Sequence, residues 1–96
     1  MPRWIYRSVV LLLALTLVAA CASAEERCQQ GVQEINSEYM FLHSVDNGRL
    51  KHDDDVVEGG MHVNGAQTQL ATRNFEGCME SVEAARKHLE RARGKL

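Results

Sequence analysis

Three cysteines, four histidines and a run of three aspartates carry the most distinctive chemistry in this chain. His43, His52, His62 and His88, with Met40, Met61 and Met79, offer borderline and soft metal donors, and Asp53 to Asp55 offer hard ones. Their spacing matches no standard ligand set. No two histidines stand four apart, and neither an H-E-x-x-H nor a C-x₂-C pattern occurs. His52, Asp53, Asp55 and His62 are the side chains that would hold a divalent ion, but a polar loop capping a helix accounts for the same residues. Nucleophiles are no better organised, because Ser37, Ser44 and Ser81 sit in no strand–turn–helix elbow. The carboxylates are spread over helix surfaces, where a small bundle offers little desolvated cleft to tune them. Cys28 and Cys78 lack the close spacing of a redox pair and read as a structural disulfide. Closing a loop of about 50 residues stabilises by roughly 4 kcal/mol on the chain-entropy model. These residues point away from catalysis and imply no cofactor.

The residues before them read as an address. Arg3 and Arg7 flank a short n-region, and Ser8 to Ala20 carries no charge. A helix of that length spans about 20 Å, too short for a hydrocarbon core of about 30 Å. A positive start, a short apolar run and small residues after it describe a secretory signal peptide. Val18-Ala19-Ala20-Cys21 resembles the lipobox of bacterial lipoproteins. That resemblance implies a signal peptide over residues 1–20, lipidation of Cys21 and a mature domain over 21–96. Ala22 after the cysteine, rather than Asp, implies the outer membrane, with the protein facing the periplasm. Several acyl chains at about 0.8 kcal/mol per buried CH₂ make a stable anchor. Ala22-Ser23-Ala24 is an equally good small-x-small site, and cleavage there would remove residues 1–24 and free a soluble periplasmic protein.

The chain has 96 residues, 25% charged and 45% hydrophobic, with 5% aromatic and one Pro, so one small domain is the ceiling. A doubly wound nucleotide-binding sheet does not fit, since each βαβ unit takes about 30 residues. Few aromatics and weak alternation argue against an all-β sandwich. All 13 acidic residues lie after residue 21 while two of the 11 basic ones lie before it, and that acidic balance gives no support for a nucleic-acid partner.

Helical periodicity is clear at both ends of the mature region. Cys28, Val32, Ile35, Tyr39 and Leu42 form a heptad-type stripe that Val45 continues, and Asn47-Gly48 supplies a left-handed cap. Tyr39, Met40, Phe41 and Leu42 are four consecutive apolar residues, so this helix must touch two partners, either two further helices or a second chain. Phe75, Cys78, Val82, Ala85, Leu89 and Ala92 form the second stripe, with acids at its start, Arg and Lys at its end and Gly94 at the cap position. The middle is weaker, because Gly59, Gly60 and Gly65 each cost a helix up to about 1 kcal/mol relative to Ala. Val56, Gly60, Val63, Gln67 and Leu70 make one plausible face, and Asn64 with Gln67 offers an alternative, later helix start.

Two all-α architectures follow. One is a two-helix antiparallel hairpin in which residues 64–93 run as a single helix. The other is a small up-down-up three-helix bundle broken at Arg73-Asn74, with Asn74 as N-cap. The bundle places Cys28 and Cys78 at the same end, whereas the hairpin offsets them by roughly 9 Å along the axis, so the bundle is favoured. Asn74-Phe75-Glu76-Gly77-Cys78, with Ala71 before and Ala85 after, resembles the turn between the helices of a tetratricopeptide unit. With no second copy, this supports a tight helical turn and not a repeat protein.

The function expected from these features is non-enzymatic: a small envelope protein, anchored by lipid, acting through protein contacts of its helix faces. Tyr39 to Leu42 is the candidate surface for an envelope partner or for self-association. The alternative is a periplasmic metal-binding or metal-buffering protein using His, Met and Asp side chains.

Overall fold

The computed structural model describes residues 23–96, which are helical and contain no strand. Three helices follow one another: α1 (Ser23–Gly48), α2 (Asp54–Ala71) and α3 (Phe75–Arg93). The leader, the lipobox and Cys21 lie outside the described residues.

α1 is regular through Ser44 and then turns sharply. Val45 is extended (φ −62°, ψ 147°), and Asp46, Asn47 and Gly48 follow with φ of 54°, 57° and 80°. Val45 therefore does not continue the helical stripe, and the left-handed residues begin at Asp46 rather than at the Asn-Gly pair. The chain re-enters the core at Leu50, which is buried between two turns closed by Lys51 N–H to the Gly48 carbonyl (3.0 Å) and Asp53 N–H to the Leu50 carbonyl (3.0 Å).

Asp53 is the N-cap of α2. Its carboxylate accepts from the backbone N–H of Asp55 (3.0 Å) and Val56 (3.4 Å), satisfying donors that have no partner within the helix. The helix thus starts at Asp54, and the later start at Asn64 does not occur. Its glycines survive because packing needs them. A Cβ at Gly59 would lie 2.6 Å from Leu89 Cδ2, and one at Gly60 would lie 2.5 Å from the Tyr39 ring. α2 thereby approaches α3 and α1 more closely than alanine would allow, which offsets the helix propensity lost. The buried face runs through Val56, Gly59, Val63 and Ala66, one step round from the expected Gly60–Gln67 face.

Arg73 (φ 61°) ends α2 in the left-handed position. Asn74 N–H bonds to the Gln69 carbonyl (2.8 Å) and Arg73 N–H to the Leu70 carbonyl (3.1 Å), the pairing of a Schellman cap. Asn74 then caps α3, its side chain accepting from Gly77 N–H at 3.0 Å. The break at Arg73-Asn74 rules out the hairpin, because the chain reverses where that architecture needed continuous helix. Gly94 closes α3 in a right-handed conformation (φ −64°), so its position owes nothing to left-handed freedom.

The core lies along the three-helix axis and is built from Cys28, Val32, Ile35 and Leu42 of α1, Val56, Val63 and Ala66 of α2, and the full α3 stripe from Cys78 to Ala92. The Cys28–Cys78 disulfide joins the starts of α1 and α3, with Cα atoms 5.9 Å apart and both residues fully buried.

Candidate functional site

The four-residue apolar block divides three ways. Leu42 is in the core, and Tyr39 packs half-buried over Gly60 with its ring 5.5 Å from that of His43. Phe41 is exposed on the α3 side, under the Arg93 guanidinium at 5.5 Å. Met40 points away from both. The two further helices are therefore the partners that the block touches, and only Met40 and Phe41 remain for anything else. Met40 is 61% exposed, Met61 68% and Val57 44%, so α2 contributes exposed apolar surface that the sequence reading missed. Its signal was there: Val57, Met61, Asn64, Thr68 and Ala71 recur at helical spacing without a charge among them.

The metal candidates separate as well. His52 is exposed in the α1–α2 turn. Asp53 caps α2 and binds Lys95 Nζ at 2.8 Å. Asp55 and His62 come together instead around His88, a residue outside the expected set. Both His88 ring nitrogens face carboxylates, Nδ1 at 3.0 Å from Asp55 and Nε2 at 3.1 Å from Glu58, and the His62 ring stacks on it at 5.6 Å. Lys95 Nζ also reaches Asp55 at 2.9 Å, and Arg91 lies 3.8 Å from it. The hydrogen bond from Lys95 holds the Asp53 carboxyl below the usual range, helped by the N-cap N–H donors. Asp55 is lowered too, first by its bond with His88 and then by Lys95. The same two carboxylates raise the Lys95 ammonium. This cluster is an ion-pair network linking α2 to the end of α3. Among the described residues no three His, Cys, Asp or Glu side chains converge as metal ligands would.

The basic end of α3 is occupied in the same way. Arg93 grips Glu38 through two bonds of 2.6 and 2.7 Å, and Arg86 reaches Glu34 at 3.0 Å. Between these pairs lies an open groove of about 270 Å³, floored by Ile35 and Leu89 and rimmed by Glu34, Glu38, Arg86 and Glu90. Its polar lining is three carboxylates and one guanidinium, two of the carboxylates already paired with Arg86 and Arg93. No described helix is long and apolar enough to cross a membrane. Comparison with protein families, curated proteins and solved structures finds no match to this chain.

Proposed function

We propose that this is a small non-enzymatic protein of the bacterial envelope, lipid-anchored through Cys21 in the outer membrane and facing the periplasm, which acts by protein–protein contacts of its helix faces. The observation that carries this reading is the Cys28–Cys78 disulfide in the core of a domain whose N-terminal sequence has the pattern of an export signal. Disulfides persist in exported compartments, and small domains short of core depend on them. The distribution of side chains supports contact rather than catalysis. Arg86, Arg91 and Arg93 of α3 and Lys95 beyond it pair with carboxylates of the same molecule, while Met40, Val57 and Met61 stand exposed with nothing in the fold to cover them. The test is fractionation of cells producing the chain and its Cys21→Ala variant. The expected result is wild type in the outer-membrane fraction and the variant released to the periplasm; wild type in the cytosol overturns the proposal.

A further inference from the structure

The middle of the outer face shared by α1 and α2 is uncharged, with exposed Glu26 and Asp54 at its two ends, one heptad before Gln33 and Met61. Along α1, the exposed stripe is Gln29, Gln33, Asn36, Met40 and Ser44; along α2, it is Val57, Met61, Asn64, Thr68 and Ala71. Between Gln29 and Ser44 the charged residues of α1 are Glu34 and Glu38, and both turn to α3, where they meet Arg86 and Arg93. From Gly59 to Thr72 α2 carries no Asp, Glu, Lys or Arg, and Glu58 just before turns to His88. The Tyr39–Gly60 contact sets the antiparallel register of the two helices and brings Met40 level with the turn between Val57 and Met61. Met40, Val57 and Met61 therefore share the face, with amides and small polar groups filling the rest, while exposed Phe41 lies on the α3 side.

We infer that this face docks on the same face of a second copy of this chain. The inference rests on the reading that the protein works through its helix faces, and it names the partner. A two-fold interface sets one patch against itself, so any charge on it meets its like across the axis. A face whose middle carries no charge, on a molecule 25% charged, meets that requirement where the two copies would touch most closely. An acidic or basic partner would need the opposite. Glutamine and asparagine side chains donate and accept at once, so Gln33, Asn36 and Asn64 can each pair with a symmetry mate. Size sets the strength. The α1 stripe is about 22 Å long, and two adjacent helices are about 20 Å across, giving roughly 450 Å² on each copy. The total of about 900 Å² lies at the low end of specific interfaces and fits a reversible, concentration-dependent dimer rather than an obligate one.

The test is sedimentation of the protein as the cell processes it, with non-ionic detergent for membrane-derived material, up to roughly 300 µM. The expected result is a reversible monomer–dimer equilibrium that Met61→Glu and Asn64→Glu each weaken about tenfold or more, while Lys87→Glu on α3 leaves it unchanged. All three positions are exposed, so the disulfide and the helical circular dichroism should be retained. A wild type that stays monomeric over the whole range overturns the inference, as does a dimer indifferent to both face substitutions. A photo-crosslinker in place of Met61 in exporting cells separates the two levels. A product of twice the chain mass supports the dimer. A product with a different protein, beside a monomer in the centrifuge, overturns the dimer and leaves the helix-face reading standing. No product, together with a monomer, counts against both.

Discussion

α3 and the outer face of α1–α2 are opposites. Apart from the Arg73–Glu25 pair at the α2–α3 turn, the described ion pairs and histidine–carboxylate contacts that join helices end on α3 or on Lys95 just beyond it. None joins α1 to α2, which meet where the Tyr39 ring packs over Gly60. Charge therefore joins α3 to each neighbour in addition to close packing at Gly31–Val82 and Gly59–Leu89, whereas α1 and α2 sit together by shape alone. The difference also sorts the exposed surface. Where charges are paired internally the fold has already used them, and where they are absent a surface with Met40, Val57 and Met61 is left for another molecule.

The strongest way to break this picture is to remove the staple, which acts on α1 and α3 alike. Replacing Cys28 and Cys78 by Ser opens a loop with a sequence separation of 50 and should cost about 4 kcal/mol in denaturant unfolding. Leu89→Ala, in the fully buried α3 stripe, should cost about 3 kcal/mol by the same measurement, with reduced helicity at the midpoint of the wild type. Gly60→Ala isolates the α1–α2 seam. The added methyl meets the Tyr39 ring, so a loss of about 1–2 kcal/mol is expected even though alanine is the better helix former. A gain in stability would mean that shape does not specify that seam.

Acid titration isolates the charged side. The Asp53 and Asp55 carboxyls are lowered in the folded protein, so their contribution is present above the ordinary carboxylate range and is lost as pH falls through the folded values. Lys95, raised by the same pair, contributes fully below about pH 10.5, and its share is lost as pH rises past its folded value. Lys95→Ala should flatten the loss of stability between about pH 5 and pH 2; an unchanged slope would remove these pairs from the account of α3. The smallest effect belongs to the outer face. Met61→Ala should leave the stability of the monomer within about 0.5 kcal/mol of wild type.

Much of this was legible in the residues. The α3 stripe, the Asn74 cap and the disulfide follow from spacing that tertiary contacts did not override. α2 was obscure because glycine is scored locally as a helix breaker, and the partners that reward Gly59 and Gly60 lie on other helices. The partners of His88 were illegible for a similar reason: Asp55 and Glu58 are far from it in the chain and meet it only when α2 packs on α3. Leu50, isolated in a polar turn, gave no periodic signal. The uncharged face was readable, yet its meaning depends on seeing that Glu34 and Glu38 turn away from it.

The most direct test of an exported, disulfide-stapled envelope protein is the intact mass from membrane and soluble fractions, before and after reduction with alkylation. The expected species starts at Cys21, carries acyl chains, and yields thiols at Cys28 and Cys78 only after reduction. An unprocessed chain starting at Met1 in the soluble fraction, with both thiols already free, would contradict the central claim.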